Sequence, residues 1–141
     1  MSNKKIVVTD CDRMYLLKLI KDLECYGDCD GKMRTFIYNL KLKLKCAAIV
    51  TSKSVPPTTV TMNSRVRLEN LDTGKQSVIT IVFPDESDIS KNKISIIGFL
   101  GVALVGYKTG DIIACDVLHG ISYLKIIDVE YQPEAIGIYQ S

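Results

Sequence analysis

Two aspartates in one turn have the residue type and spacing that come closest to metal chemistry. Asp28 and Asp30 lie in the segment 26–31, whose two glycines and two aspartates are typical of a turn. Two carboxylates two residues apart can both reach one Mg²⁺, here an ion carried by another protein. Turn aspartates also bond neighbouring backbone amides, which explains them without any metal. Both interpretations stay open.

A second segment nearly matches the phosphate-binding loop G-x-x-x-x-G-K-[ST]. The segment 101–109 reads GVALVGYKT, so Tyr107 stands where the lysine belongs and Lys108 is displaced from any phosphate. The four residues between the glycines are apolar, whereas a phosphate cradle needs exposed backbone N–H groups. The pattern therefore predicts a short core-facing helix that is ended by Gly106.

The histidine and the cysteines do not form a catalytic or zinc-binding pattern. His119 precedes Gly120 in a predicted hairpin turn, where a solvent-exposed histidine is expected. Cys11 and Cys25 would lie about 21 Å apart if residues 10–25 are helical, too far for one metal ion. We expect buried or exposed thiols, no resident metal and no cofactor.

Charge and composition divide the chain into two halves. Residues 1–55 contain 11 Lys and Arg against 6 Asp and Glu, a net charge of +5, whereas residues 56–141 contain 7 against 10, a net charge of −3. The segment 52–59 is rich in Pro, Ser and Thr, and its two prolines disfavour helix. We predict a helical region at 1–51, a linker at 52–59 and a second domain at 60–141.

The first region has the periodicity of two amphipathic helices. Thr9 can cap the first helix, and apolar residues recur at helical spacing at positions 16, 19, 20 and 23. A second stripe follows the turn, at positions 33, 36, 37, 40, 44 and 47. Two such helices joined by a short turn predict an antiparallel hairpin, in effect a short coiled coil that leans on the other domain.

The second region has the shorter period of β-strands. Alternation at 65–69, the β-branched run 78–83 and the segments 94–97, 111–118 and 121–130 predict four or five antiparallel strands. A short helix at 100–105 lies among them, so the predicted fold class is α+β. No apolar run approaches the roughly 18 residues of a membrane span, and the amino terminus is too polar for a signal peptide. We expect a cytoplasmic protein.

Three segments of the second region resemble one protein family. VTMNSRVR at 60–67, GVALVG at 101–106 and VEYQPEA at 129–135 are similar to the carboxy-terminal domain of the bacterial Gre transcript cleavage factors, and specifically to the regulator of nucleoside diphosphate kinase family. The resemblance covers roughly residues 60–135, more than half of the chain. It implies an FKBP-like fold, in which a twisted antiparallel sheet wraps against one short helix.

The resemblance also implies a function without catalysis. Proteins of this kind dock on RNA polymerase at the mouth of its secondary channel, and a helical hairpin projects inward. We therefore expect a bacterial transcription regulator that is not an enzyme, competes with Gre-type factors and affects the expression of nucleoside diphosphate kinase. We expect it to act as a monomer, away from membranes and without direct sequence-specific binding to nucleic acid.

The expected polymerase contact departs from the usual Gre pattern ahead of the short helix. Gre proteins carry a polar residue, Ser and Pro there, whereas this chain has Ile97, Gly98 and Phe99. The altered residues and their neighbours are the docking candidates: Phe99, Leu100, Gly101 and Tyr107.

The second helix carries candidates for an electrostatic contact. Lys41 and Lys45 share one face at i, i+4, while Lys43 points elsewhere. A basic face suits an acidic protein surface or nucleic acid, and it is also what a solvated helix face looks like. The split orientation of the three lysines argues against a helix dedicated to nucleic acid.

Two other functions remain as alternatives. In the first, Asp28 and Asp30 stimulate transcript cleavage at the polymerase metal, although a hairpin of about 25 Å is short for that reach. In the second, the FKBP-like architecture belongs to a peptidyl-prolyl isomerase. Isomerases of that class need an aromatic-lined proline pocket, and this chain has no Trp and three Phe.

Overall fold

Three α-helices and seven strands are present in the described part of the chain. The computed structural model describes residues 6–26, 31–117 and 120–137, so Asp28, Asp30 and His119 lie outside the described residues. In chain order the elements are β1 (Val7–Thr9), α1 (Asp10–Tyr26), α2 (Gly31–Cys46), β2 (Ala48–Val50), β3 (Arg65–Asn70), β4 (Gln76–Val82), β5 (Lys93–Ser95), α3 (Phe99–Leu104), β6 (Ile112–Val117) and β7 (Gly120–Tyr131).

Helices α1 and α2 form the predicted hairpin. The Thr9 side chain caps α1, since its hydroxyl oxygen accepts a 3.0 Å hydrogen bond from the Asp12 backbone N–H. Arg13 near the start of α1 and Lys45 near the end of α2 line the same groove, so the helices run antiparallel. No helix within the described residues is long and apolar enough to cross a membrane.

A short parallel strand pair closes the base of the hairpin. Strand β1, just before α1, pairs with β2, just after α2, in the register Val7 with Ala48 and Thr9 with Val50. The Val7 N–H donates to the Gly106 carbonyl oxygen at 3.0 Å, which joins the pair to the loop after α3. These strands are not predicted from the sequence, because three-residue segments are too short to give a periodic signal.

The main sheet has five strands in the order β5-β4-β3-β7-β6. Its pairings are antiparallel except at one edge, where β5 runs parallel to β4. Two 3₁₀ turns, Pro84–Glu86 and Ile89–Lys91, carry the chain back along β4, so that β5 begins opposite Thr80. The sequence predicts the strand but not its direction, because direction depends on how this connection folds back.

One hydrophobic core is shared by the hairpin and the sheet. The hairpin residues Leu16, Ile20, Ile37 and Leu40 belong to the same buried cluster as the sheet residues Val66, Leu68, Ile79, Ile81 and Ile126. The hairpin therefore packs on the second region along its apolar stripe, as its marginal stability alone requires.

The Pro-rich segment 52–59 is packed against the carboxy-terminal end of the described chain. Val55 and Thr59 are buried. The Gln132 side-chain amide donates to the Pro56 and Thr59 carbonyl oxygens at 2.8 and 2.7 Å. These contacts hold the segment in place, and the division at 52–59 into separate domains stays a prediction.

Helix α3 packs so closely against the end of β5 that Gly101, at the contact, has no room for a side chain. A Cβ built on Gly101 would lie 2.7 Å from Ile96 Cα and even nearer to the Ser95 carbonyl oxygen. Both neighbours are backbone atoms and cannot rotate away. Gly106, which follows the helix, has a left-handed φ of 95°, a conformation that favours glycine.

We predict that Gly101→Ala destabilises the protein by about 1–3 kcal/mol, the usual cost of forcing an extra methyl group into a packed site. The measurement is the midpoint of urea unfolding. Gly98→Ala is the matched control, because its Cβ would meet only the Ser95 carbonyl oxygen at an ordinary 3.8 Å. Equal stability of the two variants would contradict the packing role of Gly101.

Candidate functional site

An open apolar pocket lies where α3 begins. Its volume is about 410 Å³, and it is formed by the ends of β3, β5 and β7 together with the first turn of α3. The lining residues are Asn70, Ile94, Ser95, Ile97, Gly98, Phe99, Leu100, Ser122 and Leu124. We call this concavity the α3 pocket. Such a surface suits an apolar side chain of a partner better than a polar substrate.

Phe99 is the aromatic residue of the α3 pocket, and it is 43% exposed. Its ring meets the Phe36 ring of α2 edge to face, with centroids 4.9 Å apart. This arrangement is a favourable aromatic geometry and fixes the ring at the junction between hairpin and sheet. Aromatic side chains are common among the residues that dominate the binding energy of protein interfaces.

The four docking candidates divide into two pairs in the structure. Phe99 and Leu100 line the α3 pocket. Gly101 is buried beneath them against the end of β5, and Tyr107 is half-buried beside Lys43. Phe99 and Leu100 are therefore accessible docking candidates, Gly101 is covered by the end of β5, and the docking role of Tyr107 stays a prediction.

Lys43 of α2 is buried, with 9% exposure, and points away from Lys41 and Lys45 as its helix position predicts. Its ammonium donates to the carbonyl oxygens of Val102 and Ala103 at 2.6 and 2.9 Å, and it lies 4.7 Å from the Tyr107 ring centroid. These carbonyls belong to the last turn of α3, where a cation is favoured. Lys43 thus fastens the hairpin to α3.

Lys41 and Lys45, the candidates for electrostatic contact, are both exposed. Lys41 forms a 2.5 Å ion pair with Glu24 of α1, and both side chains are about half exposed, at 47% and 45%. Such exposed pairs contribute little stability because solvent screens them. Lys45 has no ion pair within the described residues.

Asp12 ties α1 to the segment before β3. One carboxylate oxygen accepts from the Met62 N–H at 3.0 Å, while the other is buried without a hydrogen-bond partner among the described residues. Burial raises the pKa of Asp12 from its ordinary 3.8 to about 7; the charge of Glu134 adds to the rise, and the bond from Met62 opposes it. Near neutral pH this carboxyl is therefore partly protonated.

The segment VEYQPEA, one of those that carry the family resemblance, holds the chain around residues 56–61. Its Gln132 bonds the Pro56 and Thr59 carbonyls, and its Glu134 accepts a 2.8 Å hydrogen bond from the Thr61 hydroxyl. Both side chains are buried. The role of these residues in the structure is to secure the Pro-rich segment.

Comparison with known proteins identifies the family. Residues 55–131, more than half of the chain, match the model of the carboxy-terminal domain of the transcription elongation factors GreA and GreB. This chain belongs to the GreA/GreB family. A solved GreA/GreB-type factor from Nitrosomonas europaea aligns with 92% of this chain and 100% of its own, at 32% identity and a TM-score of 0.72.

Two further relatives match a large part of this Gre-family chain. It is 37% identical over 101 residues to the regulator of nucleoside diphosphate kinase of Escherichia coli K12, covering 71% of this chain and 74% of that protein. It is also 37% identical over 95 residues to GreA of Orientia tsutsugamushi strain Boryong, covering 67% and 60% respectively. The resemblance found in the sequence is confirmed, as is the α+β fold.

The sequence reading of this Gre-family chain missed the residues that join its two regions. Lys43 lies within the apolar stripe of α2, three residues after Leu40 and next to Leu44, and that position is a signal for burial. Asp12 has an ordinary place in the first turn of a helix, so nothing in the sequence indicates that it reaches Met62. Asn70 and Leu124 meet in the α3 pocket through cross-strand pairing.

Two of the buried ionisable groups, Asp12 and Lys43, affect stability in opposite pH ranges. The folded-state pKa of Asp12 lies above its ordinary value, so the contribution of this group to stability is greatest at low pH and falls as the pH rises from about 4 to about 7. Burial lowers the pKa of Lys43 from 10.5 to about 7, so its contribution rises between about pH 7 and 10.5. Together these groups place a stability minimum near neutral pH.

We predict that Asp12→Asn removes the loss of stability between pH 5 and 7, because the unfolded wild-type chain releases a proton that the folded chain retains. The wild-type slope is at most roughly 1.4 kcal/mol per pH unit for one group. Urea unfolding at pH 5, 6, 7 and 8 measures it. Asp22→Asn, at an exposed position of the same helix that does not contribute to the raised pKa of Asp12, is the control. Parallel pH profiles for wild type and Asp12→Asn would contradict the assignment.

Proposed function

We propose that this chain regulates transcription by docking on RNA polymerase near its secondary channel, without catalysing a reaction. The observation that carries the proposal is the α3 pocket, an apolar concavity of about 410 Å³ with a half-exposed Phe99 at its edge. Membership of the GreA/GreB family supports a role in transcription. The resemblance seen in the sequence supplies the polymerase as partner.

In the proposed mechanism, occupancy of the channel entrance is what changes transcription. The α3 pocket holds an apolar side chain of the channel rim, and the α1–α2 hairpin lies at the entrance. A bound monomer then excludes Gre-type factors from the same place. By analogy with its relative named as a regulator of nucleoside diphosphate kinase, this chain affects expression of that enzyme. The proposed partner supports a cytoplasmic location.

The two alternative functions receive no support from the described residues. Phe99 is the one aromatic residue that lines the α3 pocket, whereas a proline-isomerase pocket is lined by several. The helices of the hairpin contain 17 and 16 residues, which correspond to about 25 Å of length. We propose that Asp28 and Asp30 do not act on the polymerase metal.

We predict that Phe99→Ala weakens binding to core RNA polymerase by about tenfold to thirtyfold, the cost of truncating a central aromatic contact. Fluorescence anisotropy of the labelled protein titrated with core polymerase measures the affinity. Ile136→Ala is the control, since Ile136 is 62% exposed and does not line the α3 pocket. Thermal melting of each variant verifies that it is folded.

A Gre-type competitor defines the site of this binding. Displacement of the bound wild-type protein by the competitor is expected if both occupy the channel entrance. No wild-type binding at micromolar concentration would refute the proposed function, and simultaneous binding of both factors would refute the shared location.

We predict no acceleration of Mg²⁺-dependent RNA trimming in backtracked polymerase complexes, because the hairpin is short. The measurement compares transcript lengths with the wild-type protein, with the double variant Asp28→Ala/Asp30→Ala and with buffer alone. Trimming that the wild type stimulates and the double variant loses would establish the cleavage function instead.

A further inference from the structure

A second concavity lies between the two helices of the hairpin, near its base. Its volume is about 400 Å³, and seven residues from α1, α2 and the β2 region line it: Arg13, Leu17, Lys41, Leu44, Lys45, Ala47 and Ile49. We call it the hairpin groove. It shares no residue with the α3 pocket.

The lining of the hairpin groove leaves two large aliphatic side chains in contact with water. Leu17 of α1 is 39% exposed, and Ile49 of β2 is 42% exposed. Leu44 is buried between them and completes an apolar lining. Covering this surface with a partner removes apolar area from water, which favours association.

The rim of the hairpin groove is positively charged. Arg13, Lys41 and Lys45 contribute three cations, and no carboxylate lines the groove within the described residues. Lys41 is paired with Glu24, whereas Arg13 and Lys45 have no ion pair in that part of the chain. The charge therefore favours an anionic occupant, and the apolar lining requires that the occupant also carry aliphatic or aromatic groups.

We propose that the hairpin groove is a second docking surface, which binds an acidic segment with one or two apolar side chains. The inference rests on the proposed function, so the segment belongs to RNA polymerase. A protein segment fits the lining better than RNA does. Binding of single-stranded nucleic acid combines a positively charged groove with stacking of the bases on aromatic side chains, and no aromatic residue lines this groove within the described residues.

The two surfaces lie on different sides of α2. Phe36 contacts Phe99 at the α3 pocket, and Lys45, nine residues later, lies about 180° around the helix from Phe36. The hydrogen bonds from Lys43 to the Val102 and Ala103 carbonyl oxygens hold α2 against α3. Because one rigid unit presents both surfaces, binding at one raises the effective concentration at the other.

The test compares two double variants with equal changes in charge and apolar area. Leu17→Ser/Lys45→Glu alters the hairpin groove. Lys18→Glu/Leu42→Ser alters exposed residues of the same two helices that do not line it, and Leu42 is 43% exposed. The expected result is about tenfold weaker binding to core polymerase for the groove variant and less than threefold for the control. The groove variant also has the flatter dependence on NaCl concentration.

Each outcome decides between the inference and the function on which it rests. Absence of wild-type binding overturns both. Wild-type binding that the two double variants weaken equally overturns the hairpin groove alone and leaves the proposed function intact. In the third outcome, a 20-nucleotide single-stranded RNA binds the wild-type protein and binds the groove variant more weakly, while the two proteins bind core polymerase equally. That result would show that RNA, and not a protein segment, occupies the hairpin groove.

Discussion

The position of α3 depends on one buried ammonium group. This helix has six residues, too few to be stable through its own hydrogen bonds. Lys43 satisfies two carbonyl oxygens at its carboxy-terminal end, and the absence of a side chain on Gly101 allows its other side to rest on β5. The α3 pocket is formed partly by the first turn of this helix. Its shape therefore depends on a residue from the opposite half of the chain.

Much of the fold could be predicted because its signals are local. The helices of the hairpin follow from apolar spacing over 16 or 17 residues, and the strands follow from β-branched alternation. The capping role of Thr9 depends on a residue three positions away. Phe99 and Leu100 were identified through the family resemblance, at the point where this chain departs from the usual pattern. For the helices, the strands and the cap, the information lies within the segment that forms the feature.

The remainder depends on contacts between distant residues. Lys43 and the Val102 carbonyl are 59 positions apart, and Asp12 and Met62 are 50 apart. Neither residue type indicates burial, because lysine and aspartate are mostly exposed in proteins. The α3 pocket likewise needs the register of β3 with β7 before Asn70 and Leu124 can be placed in it. Such pairings are decided by the packing of the whole chain.

The β1–β2 pair has a consequence for how this architecture can diversify. Because the two strands meet where the hairpin begins and ends, the chain enters and leaves the helices at one fixed place. Helical turns inserted on both sides of the tip would lengthen the projection while the entry and exit points stay where they are. The length of the hairpin and the surface of the sheet region are thus separately adjustable. A lineage can exchange one projection length for another without redesigning the part that holds the partner.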